Sequence, residues 1–165
     1  MVAEFFLGLI AAFGYAGVFL ASLIGNASII LPLPSAIIIF FAGKILDPLL
    51  VGVVAAIGGA IGEMTAYALG AGGNYLAEKK KMARKKGLAA WFTRGNAWFR
   101  KHNGFLIVFA FSVVPLPHDV IGIICGAIKY DWKKFFAATL LGKIILYTAI
   151  AYAGFYGVEF FMNFV

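Results

Sequence analysis

Apolar positions run along this chain in long stretches separated by short polar ones. The first stretch, Phe5 to Ile24, carries no charge and is long enough to cross a bilayer once, at about 20 residues per crossing. It is expected as span one, 5–24. The next stretch, Ala27 to Gly43, contains Pro32 and Pro34, which remove backbone donors and push Leu31 and Leu33 toward extended conformations. An interrupted backbone survives in hydrocarbon only where protein or a wet cavity surrounds it, so a re-entrant hairpin is expected over 26–46. Lys44, Asp47 and Pro48 return the chain to an interface. A second crossing follows over 49–76, interrupted by Gly58, Gly59, Gly62 and Glu63.

Beyond it the pattern changes from apolar to basic. Nine of the fourteen basic residues lie between Glu78 and Lys101: Lys79, Lys80, Lys81, Arg84, Lys85, Lys86, Arg94, Arg100 and Lys101. An excess of Lys and Arg in a short loop marks the cytoplasmic side. Met82, Leu88, Trp91, Phe92, Trp98 and Phe99 supply an apolar face, so 77–102 is expected as an interfacial segment. Each basic residue there would gain about 1 kcal/mol near anionic lipid. Two runs too short to span, Phe105 to Val114 and Val120 to Ile128, then flank Pro115, Pro117, His118 and Asp119. They predict a second hairpin over 104–129, followed by span three over 134–158. Counting from the cytoplasmic loop, hairpin one enters from outside and hairpin two from the cytoplasm.

The two proline segments are copies of one pattern. Pro34 stands nine residues before Gly43, and Pro117 stands nine before Gly126; each glycine is followed by a lysine and an aspartate, then by a crossing. Inverted repeats with broken helices are a physical signature of transport folds, because unwound backbone and half-helix ends meet near the midplane. The expected fold is therefore all-α: one polytopic membrane domain with two opposed re-entrant helical hairpins, about three full spans and a cytoplasmic interfacial helix.

Composition agrees. The chain is 63% hydrophobic and 13% charged, with a mean hydropathy of +0.96, against roughly 45–50% apolar and about 25% charged in soluble domains. Cys125 is the single cysteine, so no intrachain disulfide forms. The sequence carries no nucleophile and base constellation, metal-ligand spacing, nucleotide loop or nucleic-acid motif. An enzyme, a cofactor, a metal and a nucleic-acid partner are accordingly not expected.

Ionisable residues inside apolar stretches are the candidates for chemistry, since burying each costs roughly 2.5–3.5 kcal/mol on insertion scales. Glu63 sits in the glycine cluster of the second crossing, and His118 and Asp119 follow the second break. Lys143 lies nine residues beyond Lys134, about 13 Å deep in an upright helix. An Asp119–Lys143 or a Glu63–Lys143 pair would lower the cost as an internal ion pair that fixes packing; a Lys or His near the hairpin tip would instead contact a lipid phosphate. His118 is the one candidate whose ordinary chemistry titrates near neutral pH. Tyr67, Tyr147 and Tyr152 read as packing or interfacial rings.

Pro32-x-Pro34-Ser35 with Ala42-Gly43, Gly62-Glu63-x3-Tyr67-x2-Gly70-x2-Gly73, and Pro115-x-Pro117-x-Asp119 with Gly126-Ala127 resemble the DedA, or VTT-domain (SNARE-associated), membrane proteins. The resemblance covers roughly Gly25 to Gly154. It implies two opposed hairpins and movement of lipids across membranes, by recycling of polyprenyl-phosphate carriers or by phospholipid scrambling. Many bacterial members place carboxylates around the first hairpin and arginines three residues either side of the second hairpin's first proline. Here those positions hold Asn26, Ser35 and Ala36, and Ser112 and His118. The departures favour an energy-independent scramblase over a proton-driven carrier.

The expected function is thus a flippase or scramblase of phospholipid or polyprenyl-phosphate lipid in the plasma membrane, with the basic 78–101 segment cytoplasmic. The expected partners are membrane lipids, anionic or polyprenyl-phosphate lipids among them, with a homo-oligomer left open. The rivals are a proton- or cation-coupled small-solute transporter and a non-transporting membrane scaffold or insertion factor.

Overall fold

The computed structural model describes Gly8 and residues 13–27, 35–79, 94–95, 97–99, 101–114 and 118–162, without the side chains of 74–79 and 158–162. Both proline segments, and Lys80, Lys81, Arg84, Lys85 and Lys86, lie outside these residues; Lys79 ends a helix. The described residues form six helices and no strand: α1 (Tyr15–Ala27), α2 (Ser35–Ile45), α3 (Pro48–Lys79), α4 (Gly104–Val113), α5 (His118–Ala127) and α6 (Trp132–Met162).

The long helices start the same way. Asp47 Oδ1 accepts the backbone N–H of Leu50 at 2.9 Å, with Pro48 in the first helical position. Asp131 Oδ1 accepts those of Lys133 and Lys134 at 2.8 and 3.3 Å. The aspartate that recurs after each glycine is therefore a helix cap. Each long helix holds a 26-residue apolar stretch, Pro48–Gly73 and Trp132–Gly157. At 1.5 Å per residue each reaches about 39 Å, more than the roughly 30 Å of a hydrocarbon core.

The short helices pair around them by exchange. In each repeat the first short helix packs on the long helix of its own repeat, α1 on α3 and α4 on α6. The second packs on the other, α2 on α6 and α5 on α3. Glycines set these approaches at equivalent points. A Cβ on Gly43 would strike the backbone of Ala151, and one on Gly126 that of Tyr67. Gly154 meets Phe40 as Gly70 meets Ile123, and Gly58 meets Phe19 as Gly142 meets Phe109. Small residues admitting close backbone contact are the general solution for helices packed in lipid.

The start of α1 lies beside the end of α2, where the Asp47 N–H donates to the Tyr15 hydroxyl at 3.2 Å. At the other end of the bundle, Gly104 of α4 lies against Tyr130, just past α5. The first two short helices thus meet beside the start of α3 and the second two beside the start of α6. The helix α1 ends at Ala27, beyond the boundary drawn at residue 24.

Polarity is inverted relative to a water-soluble bundle. Leu20, Ile37, Phe41, Ile61, Leu106 and Ile145 are exposed, whereas Ser22, Glu63, Ser112, His118, Thr139 and Lys143 are buried. An apolar exterior around a charged interior suits lipid as the surrounding solvent.

A buried charged network as the candidate functional site

The short helices end where the buried polar side chains meet. Asn26 is next to the last residue of α1, Ser112 next to the last of α4, and His118 the first of α5. Glu63 and Lys143 come from the middle of α3 and α6. Apolar clusters cover both flanks: Val18, Ile39, Val51 and Ala151 on one side, Val108, Ile121, Cys125 and Phe135 on the other.

Lys143 Nζ spends its three protons on three acceptors. It lies 3.1 Å from Glu63 Oε1 and donates to Asn26 Oδ1 at 2.7 Å and to the Tyr147 hydroxyl at 3.2 Å. The Tyr147 hydroxyl donates onward to Asn26 Oδ1 at 3.0 Å. The Asn26 amide nitrogen bonds the Ser22 carbonyl at 2.7 Å, and the Ser22 hydroxyl donates to the Ala55 carbonyl at 2.7 Å. Gly59 makes the room, because a Cβ there would crowd Ser22, Asn26 and Tyr147.

On the other side, Glu63 Oε2 faces His118 Nδ1 at 3.2 Å. His118 Nε2 lies 2.7 Å from Ser112 Oγ, which donates its own proton to the Val108 carbonyl at 2.7 Å. With that proton committed, the ring nitrogen is the donor in the contact with Ser112. Glu63 Oε2 and His118 Nδ1 are at ion-pair distance without hydrogen-bond alignment, so this is the loosest joint of the network. Glu63 is 3% exposed, His118 5% and Lys143 5%. At that depth a charge is tolerable only when paired, and removing one partner of a buried pair costs about 3–5 kcal/mol.

Of the sequence candidates, Glu63, His118 and Lys143 are brought together, and Glu63 rather than Asp119 pairs with Lys143. Asp119 stands half-buried nearby but forms no ion pair with Lys143 or His118: it occupies the first turn of α5, where the helix dipole favours a carboxylate. Gly43 and Gly126 are packing points between helices. Tyr147, expected only to pack, hydrogen-bonds Lys143 and Asn26. Its position one helical turn after Lys143 was the available signal. Ser22 was not a candidate, and Asn26 and Ser112 stood out only as departures from the family pattern. Among the described residues no group of His, Cys, Asp and Glu is placed to hold a metal ion.

Outside the crossing helices, burial holds the Tyr130 phenol above its ordinary value, with the Cys125 thiol and the Asp131 carboxylate adding to the effect. It therefore remains neutral at physiological pH.

Comparison with known proteins identifies a family. The VTT domain matches residues 33–156. An uncharacterized protein of Methanocaldococcus jannaschii, MJ0201, is 31% identical over 146 residues, covering 86% of this chain and 84% of that relative. No solved structure matches. With a domain match over most of its length and a relative of 31% identity, the chain belongs to the VTT-domain family of DedA-type membrane proteins.

Proposed function

We propose that this protein is a multi-pass plasma-membrane lipid transporter of the scramblase or flippase type, with a phospholipid or a polyprenyl-phosphate lipid as cargo. The two hairpins enter from opposite faces, and the basic 78–101 segment lies on the cytoplasmic side. One observation carries this reading: short helices from opposite ends of the bundle converge on one buried network containing Glu63, His118 and Lys143. Such a centre lowers the barrier for a polar headgroup at mid-membrane while the acyl tails remain among the exposed apolar side chains. The N-termini of α2 and α5 directly follow the two proline segments in sequence, and their dipoles favour a phosphate.

Reconstitution into vesicles containing a headgroup-labelled lipid tests the proposal. Protein-dependent loss of leaflet asymmetry is expected without an imposed gradient. A rate equal to that of protein-free vesicles, from folded protein, would refute it. The loosely joined Glu63–His118 pair favours a second reading, a proton-coupled solute transporter, which requires flux that depends on an imposed pH gradient.

A further inference from the structure

The turn between α5 and α6 borders an open cavity of about 570 Å³ lined by Tyr67, Tyr130, Trp132 and the three lysines Lys129, Lys133 and Lys134. Its one carboxylate, Asp131, is occupied in capping α6 through the backbone N–H groups of Lys133 and Lys134. The ammonium groups of Lys133 and Lys134 form no ion pair with a described residue, and Lys133 Nζ lies 5.8 Å from the centre of the exposed Trp132 ring. The volume falls within the roughly 300–1,000 Å³ of small-ligand sites. Trp, Tyr and Lys together form the usual lining at headgroup depth.

The fold does not require this chemistry. The equivalent turn of the first repeat, between α2 and α3, is made with the same aspartate cap but with Lys44 alone, followed by exposed Leu49 and Leu50. Three lysines and a tryptophan are therefore particular to the second turn.

The cavity also adjoins the buried network. Tyr67 lies one helical turn beyond Glu63, donates its hydroxyl to the Tyr130 carbonyl, and has its ring centre 5.3 Å from that of Phe135. The Phe135 ring centre is in turn 5.8 Å from that of His118. Tyr67 and the fully buried Phe135 thus form an aromatic partition between the cavity and the charged centre.

We propose that this cavity is a docking site for the phosphate-bearing headgroup of an anionic lipid, at the mouth of the second hairpin. The inference rests on the lipid-transport reading and gives it a substrate class. Lys133 and Lys134 hold the phosphate oxygens, Trp132 lies against the glycerol and upper acyl region, and the Tyr67–Phe135 partition separates the docked headgroup from His118 and Glu63.

The test is binding of the full chain in detergent micelles to fluorescent phosphatidic acid and to fluorescent phosphatidylcholine, with inorganic phosphate as competitor. The wild-type protein is expected to prefer phosphatidic acid by roughly tenfold, and Lys133→Gln with Lys134→Gln to abolish that preference. Lys133→Arg with Lys134→Arg should keep it, and Lys44→Gln should leave it unchanged. Equal affinity for the two lipids, a preference that survives both glutamine substitutions, or displacement by inorganic phosphate at concentrations comparable to the lipid would each overturn the site. Lipid translocation in vesicles by a protein that binds both lipids alike would refute the docking site and leave the transport reading standing. Selective binding without translocation would do the reverse.

Discussion

The first pair of short helices brings Ser22 and Asn26 to the middle of the bundle, and the second brings Ser112 and His118, with Asp119 beside them. Much of what supports these residues is matched between the repeats: the aspartate caps, the glycine contacts of Gly43 and Gly126, and those of Gly58 and Gly142. In the register set by those contacts Ser22 is the counterpart of Ser112. Lys143, however, occupies the place of Gly59, and Tyr147 that of Glu63. Packing therefore follows the repeat, while the polar centre departs from it. The acid comes from one repeat and the base from the other, which makes one shared ionic site rather than two copies.

The sharpest way to break this comparison is to remove one member of the unlike pair. Lys143→Met leaves Glu63 buried without its cation and should destabilise the folded protein by about 3–5 kcal/mol in detergent unfolding. Adding Glu63→Gln to it should restore much of that loss, whereas equal effects of the single and double variants would mean that the two side chains do not form a unit. The matched packing makes a different demand. Gly43→Leu and Gly126→Leu should each cost about 1–3 kcal/mol from overpacking against the other repeat's long helix, and the two losses should be similar. A large inequality would remove the equivalence of the two exchanges.

The serines should be unequal. Ser112→Ala deprives His118 Nε2 of its partner in a buried site, a loss of roughly 1–3 kcal/mol, while Ser22→Ala removes one ordinary hydrogen bond worth about 1 kcal/mol. The order of the two unfolding midpoints decides the matter. The smallest effects belong to the caps: Asp47→Ala and Asp131→Ala should each cost about 1 kcal/mol, read as similar losses of helical signal on warming.

What could be read in the sequence was whatever costs energy without a partner. Glu63, His118 and Lys143 in apolar helices imply pairing, whatever the tertiary structure. Neutral polar residues send no such signal. Ser112 satisfies its proton on the Val108 carbonyl of its own helix, and Asn26 bonds its own Ser22 carbonyl, so neither demands a distant partner. Their links to His118 and Lys143 arise only when helices remote in sequence pack together. The contact that sets Tyr15 of α1 beside Asp47, just past α2, is equally invisible in the sequence, because it joins residues 32 positions apart. The place of Asp119 beside the second proline segment was visible in the sequence, whereas its accommodation in the first turn of α5 was not.

The central claim is that the shared ionic site lies on the path of the lipid headgroup. The direct measurement is the rate of labelled-lipid translocation in vesicles carrying either wild-type protein or the neutral Glu63→Gln, Lys143→Met double variant, each first shown to be folded by its unfolding transition. The account predicts that the double variant translocates lipid at least roughly tenfold more slowly, equivalent to about 1.4 kcal/mol in the barrier. A folded double variant that moves lipid as fast as the wild type would contradict it.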